Sequence, residues 1–316
     1  MRQYIIKRVG LFIPTIILIT IIVFVVMRLI PGDVCLAILS DGEATFTQEE
    51  LIDCRIELDL DKPLVNQYFD WIGGVVQGDF GNSYWFKAPV MEELADRIPV
   101  TVELTIMAML ISVVVAVPLG IVSALRPESP LDYAARVFTM TGIAMPTFLI
   151  AILLLLLLVH VGGLAPLNYA HLWDDPLVNL HQMIWPALAL GFYEMGFVAR
   201  VTRSAMMEII REDYMRTARS KGLSENSVVY GHGLKNALLP VLTTSGWIFA
   251  RLFGGTVIIE TIFLVPGMGR ILIESIFQRD YTMIQAVIVI AALFIVSINL
   301  VVDLLYGWLD PRIRYA

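Results

Sequence analysis

Two residues stand out because of where their charges fall. Glu194 and Arg251 each lie inside a long apolar stretch. An ionisable side chain there is costly, and it meets either an opposite charge or a water-filled passage. If the two stretches run antiparallel, Glu194 lies roughly 18 Å and Arg251 roughly 20 Å from the outer surface, at the helical rise per residue. At similar depth they could form a buried ion pair, or line a passage and meet the charged groups of a solute. They could also face a partner membrane subunit. Glu103 and Glu260 lie nearer the ends of their stretches, where charge reaches water cheaply. They could line an outer mouth or serve as structural anchors.

Most other familiar chemistry is missing. The lysines are Lys7, Lys62, Lys87, Lys221 and Lys235, and none precedes Ser or Thr, so there is no phosphate-binding loop. His160, His171, His181 and His232 never form a His-Glu-x-x-His metal pair. No Gly-x-Ser-x-Gly elbow is present, and Pro266-Gly267-Met268-Gly269 follows an apolar run rather than a strand. The expectation is a chain with no catalytic residue, no metal, no cofactor of its own and no nucleic-acid partner. Cys35 and Cys54 could pair as a structural disulfide in an oxidising compartment, or remain free thiols.

The elements that position these residues follow from composition. Of 316 residues, 58% are hydrophobic and 16% charged, with a mean hydropathy of +0.76. So much apolar surface must face something other than water. About 20 apolar residues make one membrane-spanning helix, and six stretches qualify: 9–30, 100–125, 137–159, 181–201, 236–264 and 282–306. The predicted fold is therefore all-α, a polytopic membrane protein of six helices forming one domain over 1–316. The first stretch has a basic start, Arg2, Lys7 and Arg8, yet it is long and no small-x-small cleavage pattern follows. It is expected to be an uncleaved anchor.

Basic residues mark the cytoplasmic side. Residues 200–235 hold seven Lys/Arg against four acids, whereas 31–99 hold fourteen acids against four bases. Both termini, 1–8 and 307–316, are thus expected in the cytoplasm, with 202–235 beside them. Residues 31–99, 160–180 and 265–281 fall outside. The 31–99 segment reads as a small helical cap, with helices over 48–60 and 64–76 and a turn at Gly78-Asp79-Phe80-Gly81. The 266–281 segment mixes Arg270 and Arg279 with Glu274 and Asp280, which suits short amphipathic structure at the interface. Ala187 and Gly191 have the small-x-x-x-small spacing that lets membrane helices approach closely.

The longest inner segment carries the strongest signal. Residues 208–221 are rich in helix formers and lack Pro and Gly; Gly222 then stops the helix, and Ser224 is placed to cap a second one. Two helices joined by a Gly-Leu-Ser elbow make a compact projection, with Ala218 and Ser220 small enough for close approach to a partner. A solvated charged loop is the plainer alternative.

This segment resembles the Glu-Ala-Ala loop of ABC importer permeases, in the form typical of the dipeptide/oligopeptide/nickel branch. Arg216-Thr217-Ala218 and Gly222 occupy the motif, with Arg and Thr where the general pattern has Glu and Ala. Further matches run in order along the chain. They are Ile30-Pro31-Gly32-Asp33, Leu58-Asp59-Leu60-Asp61-Lys62-Pro63, Gly78-Asp79-Phe80-Gly81, Thr202-Arg203-Ser204-Ala205-Met206 and Asn236-Ala237-Leu238-Leu239-Pro240. Glu260-Thr261-Ile262-Phe263, Pro266-Gly267-Met268-Gly269-Arg270, Asp303-Leu304-Leu305-Tyr306-Gly307 and Asp310-Pro311-Arg312-Ile313-Arg314 complete them. Gly231 and Gly233 depart from the branch's usual Arg and Ala.

The resemblance implies an inner-membrane permease subunit for di- or oligopeptides, glutathione, nickel chelates or sugars, working by alternating access. Its implied partners are a second permease, two ATPase subunits that hold ATP and Mg, and an external solute-binding protein. Asp213, Tyr214, Arg216, Thr217, Ala218, Lys221, Gly222, Leu223 and Ser224 would form the ATPase-coupling elbow. A stand-alone secondary transporter using Glu194 and Arg251 as coupling residues is the rival. An intramembrane enzyme is a weaker one.

Overall fold

The computed structural model describes residues 2–29, 35–36, 47–57, 60–161 and 169–309. The motif residues 30–33, 58–59 and 310–314 and the loop residues 162–168 lie outside these. The described chain is helical from end to end, with a single isolated bridge between Asn82 and Pro89. In order, the helices are α1 (Arg2–Leu29), α2 (Gln48–Glu57), α3 (Leu64–Val76), α4 (Val90–Leu125), α5 (Pro130–Ala144) and α6 (Thr147–His160). There follow α7 (Pro176–Ile209), α8 (Asp213–Ser220), a π-helical turn (Ser227–Gly233), α9 (Leu234–Ile262), α10 (Met268–Gln278) and α11 (Tyr281–Leu309).

Among the described residues, four helices are long and apolar enough by themselves to cross a membrane: α1, α4, α9 with its preceding π turn, and α11. The uncharged stretch 137–159, expected as one span, falls across two helices bent by 105°. Pro146 is the cause: it disfavours helical backbone at Met145, which takes ψ 132, and it cannot donate to the ladder itself. Counted as one broken span, α5 and α6 bring the number to five.

α7 is the exception that defines the centre. It is 34 residues long yet carries Asn179, His181, Gln182 and Glu194. Its residues are buried by α4, α5, α6 and α9 rather than by lipid, so its surface need not be apolar. Met183, Ala187, Leu190 and Val198 from α7 pack with Leu104 and Ala108 of α4 and Ile248, Leu252 and Ile259 of α9. At Gly191 the backbones of α4 and α7 nearly touch, since an added Cβ would stand 2.7 Å from the Ala108 carbonyl oxygen. Ala187, one turn earlier, is fully buried.

Local capping sets the helix starts. Asp175 accepts from the Leu177 and Val178 N–H groups with Pro176 at the first helical position, and Ser129 accepts from the Asp132 N–H ahead of α5. Asp280 opens α11 by accepting from the Met283 N–H at 3.1 Å, while its other oxygen takes the Ser83 hydroxyl and the Trp85 N–H. That buried carboxylate fastens the segment around Ser83 and Trp85 to the last helix. A second core of Val23, Phe80, Leu94, Met268, Met283 and Val287 lies beneath the same region.

Candidate functional site: the elbow and the intramembrane charges

The elbow is built from three short pieces. α8 buries only Met215 and Ala218, which pack with Val228 of the π turn against Ile209 and Ile210. Asp213, Tyr214, Arg216, Thr217, Lys221, Gly222, Leu223 and Ser224 are exposed. Ala218 therefore belongs to the elbow's own small core and positions the exposed face, instead of offering room to a partner. Gly222 holds φ +80, left-handed backbone that ends α8 and that side chains with a Cβ rarely adopt. The Ser224 carbonyl accepts from the Val228 N–H at 3.0 Å, which starts the second helix.

Two side-chain links stiffen the turn. Arg219 donates to both oxygens of Glu225, at 3.1 and 2.9 Å, and this contact holds the Glu225 carboxyl below its usual range and the guanidinium above its own. Asn236 donates to the Tyr214 hydroxyl at 3.0 Å, tying α8 to the first turn of α9. Behind them, Met206, Val229 and Ala237 pack against Ile121 and Ala124 at the end of α4. The projection is thus continuous with α4, α7 and α9. Gly231 and Gly233 both fall in the π turn: an added Cβ at the first would make ordinary contact with the Ser227 hydroxyl at 3.9 Å, and the second faces the Met215 methyl.

Glu194 and Arg251 meet. An Arg251 Nη2–Glu194 Oε2 bond of 2.6 Å joins α7 to α9. The two partners are unequal, for the Glu194 side chain is 4% exposed and that of Arg251 34%. The guanidinium also lies over the rings of Tyr193, Phe197 and Trp247, 5.1 to 5.4 Å from their centroids. Along α9, Thr243, Trp247, Gly254 and Ile258 are exposed on the same stripe at helical spacing. The acid is enclosed, and the base, flanked by two rings of α7, is partly open along a stripe of α9 whose other residues are exposed among the described residues.

The remaining acids have structural partners. Glu260 is fully buried and caps α10: Oε2 accepts from the Gly269 and Arg270 N–H groups at 2.7 and 3.0 Å, and Oε1 from the Thr101 hydroxyl at 2.7 Å. Thr101 in turn accepts from the Met268 N–H at 2.8 Å. A side chain at Gly267 would collide with the carboxylate, so this glycine is required for the approach. The carboxylate thus neutralises the positive end of a helix and joins α4, α9 and α10. Glu103 accepts from Asn179 at 3.3 Å and lies 3.5 Å from the Tyr169 hydroxyl. Burial, then the nearby carboxylate, pushes the Tyr169 hydroxyl above its ordinary pKa. Cys35 and Cys54 are disulfide-bonded with Cα atoms 5.8 Å apart. Among the described residues no group of three or more His, Cys, Asp or Glu could hold a metal ion.

The Glu260 cap yields a direct expectation. Glu260→Gln should cost about 1.5–3 kcal/mol, because an amide supplies neither the charge nor two full acceptors to the helix end. Thermal unfolding of the purified protein would read this as a clear drop in midpoint. Equal midpoints for the variant and the parent would remove the cap from the stabilising contacts.

The bundle thus combines several apolar helices long enough to cross a membrane, an exposed charged turn on a small core and a largely enclosed ion pair, the make-up of a multi-helix membrane protein. The chain belongs to the family of binding-protein-dependent transport system inner membrane components, whose model matches residues 116–315; the model of the family's N-terminal part matches residues 1–105. It is an inner-membrane protein that crosses the membrane with several helices. A protein of Brucella abortus (strain 2308), named for a peptide transport system permease, is 40% identical over the whole of both chains. The oligopeptide transport system permease protein AppB of Bacillus subtilis is 38% identical, with all of both chains covered. The dipeptide transport system permease protein DppB of Escherichia coli K12 is also 38% identical, covering 100% of this chain and 99% of its own. Among solved structures, inward-facing forms of the MetNI methionine ABC transporter match with a TM-score of 0.56 at 17% identity. That match covers 70% of this chain and 97% of the other. An amino acid ABC transporter structure matches with a TM-score of 0.54 at 15% identity, over 68% and 93% of the two chains.

Proposed function

We propose that this chain forms half of the translocation pore of an ATP-driven importer for di- or oligopeptides or related small solutes. The observation that carries the reading is the elbow, an exposed face on a small rigid core that is continuous with α4, α7 and α9. A partner ATPase that closes on ATP would push on Tyr214, Arg216, Thr217, Lys221 and Leu223, and the push would pass directly into the spans. ATP and Mg sit on two such partners, a second related permease completes the pore, and an external binding protein delivers the solute. The names of AppB and DppB support a peptide as that solute.

In this arrangement α1, α4, the α5–α6 pair, α7, α9 and α11 make six crossings, with α7 shielded inside the bundle. Both termini then lie on the cytoplasmic side with the elbow, which agrees with the basic excess over 200–235. Arg251, on the exposed stripe of α9, faces the passage or the second permease and can meet a solute carboxylate. A stand-alone secondary transporter is the less favoured reading, because Glu194 is enclosed and already paired with Arg251.

Purification of the intact complex from native membranes is expected to bring ATPases and a second permease with this chain. Vesicles holding the complex should take up a labelled dipeptide only when ATP is supplied on the elbow side. Accumulation by this chain alone, with no ATPase present, would overturn the proposal.

A further inference from the structure

A cavity of about 190 Å³ lies between α4, α5 and α7, and three guanidinium groups line it: Arg136 from α5, and Arg200 and Arg203 from α7. One carboxylate opposes them. Asp132 is fully buried, and its oxygens lie 3.2 Å from Arg203 Nε, Arg203 Nη2 and Arg136 Nε. It also accepts from the Ser123 hydroxyl and, at 3.0 Å, from the Glu128 N–H. That acid is saturated. Arg200 is exposed and makes no ion pair with the described residues, so the cavity keeps an excess of positive charge.

The rest of the surroundings is apolar and open. Val137, Phe138 and Met140 of α5 are 66%, 47% and 52% exposed, and Met140 lines the cavity itself. Surplus guanidinium charge beside uncovered apolar side chains matches one chemistry, an anionic phosphate carrying hydrocarbon chains. The place matches too. Ser123 lies in the last turn of α4, and Arg203 lies near the end of α7 that leads into the elbow. On the orientation argued above, this is the cytoplasmic leaflet, whose anionic lipids are attracted to basic pockets between helices.

We propose that this cavity binds the phosphate of an anionic phospholipid, with Arg136 and Arg200 on the headgroup and the acyl chains along Val137 and Met140. Arg203 and Ser123 hold Asp132 and so keep the wall in place. The bound lipid would bridge α5 and α7 beside the cavity they share with α4.

The test uses the full-length chain in detergent, with native mass spectrometry after addition of phosphatidylglycerol or phosphatidylcholine of the same chain length. Phosphatidylglycerol adducts are expected to survive about tenfold better. Each guanidinium removed, in Arg136→Gln or Arg200→Gln, should weaken the preference roughly fivefold. Arg200→Gln decides the matter if Arg136→Gln impairs folding, since Arg200 has no ion pair to lose. Arg211→Gln, an exposed cation outside the cavity, should change nothing. Equal retention of both lipids would overturn the proposal. So would an equal loss in Arg211→Gln, which would mean diffuse attraction to the basic end. Retention of inorganic phosphate with no preference between the lipids would assign the cavity to the free ion and overturn it as well. No transport is measured, so failure of the importer reading would leave the lipid result interpretable.

Discussion

Replacing Arg251 alone by glutamine is expected to destabilise the protein by about 3 kcal/mol. The variant leaves the Glu194 carboxylate enclosed without its partner, and the lower end of the usual 3–5 kcal/mol range applies because a third of the Arg251 side chain is open to its surroundings. Glu194→Gln should cost less, roughly 1.5–3 kcal/mol. Its cation keeps the faces of Tyr193, Phe197 and Trp247 and can turn outward. Because the two groups are in direct contact, the double variant should be more stable than the sum of the single losses predicts. Uptake measured on the same variants separates structure from function. If Arg251 receives a solute carboxylate, the double variant regains its unfolding midpoint but not its transport. Recovery of both would reduce the pair to a clamp between α7 and α9.

Gly222→Val should lower ATP-driven uptake about tenfold while leaving the spans folded. A β-branched residue held at φ +80 costs roughly 1–2 kcal/mol, a penalty confined to the elbow because nothing else lies within 4 Å of the site. About 1.4 kcal/mol is a tenfold change in population, enough to displace the Lys221–Ser224 turn from the position its partner would read. Thr15→Ala, an exposed change within α1 and away from the elbow, should stay within about 0.5 kcal/mol of the parent. It serves as the control for insertion and expression. The decisive comparison is co-purification of the ATPases with each variant. Full retention of ATPases and uptake in Gly222→Val would remove the elbow from the coupling route.

How much of this could be read from residue order alone depends on the range of the interactions involved. The apolar runs, the helix over 64–76, the helix ahead of Gly222 and the stop at Gly222 depend on contacts within a few residues, although the helix expected over 208–221 is broken at 210–212, where α7 has ended and α8 begins only at Asp213. Helix length, capping and left-handed glycine are local physics, so they were legible. So were the cost of Glu194 and Arg251 in lipid and their similar depth. The 105° bend has only Pro146 as its local signal, and an uncharged run through that residue still reads as one span. Ala218 shows the same limit on a smaller scale. Its size was visible, but its direction, inward against Met215 and Val228, was not.

The long-range pairings were beyond reach. Glu260 and Thr101 are 159 residues apart, Ser83 and Asp280 are 197 apart, and neither partner predicts the other from spacing. Only packing decides that one acid near the end of a span caps α10, that another anchors the segment around Ser83, and that Arg251 alone of its pair is partly open. Chain order sets which groups cannot stay in lipid unaided; the fold selects the neighbour that satisfies each, because hydrogen bonds and ion pairs act over a few ångströms in space and are indifferent to distance along the chain.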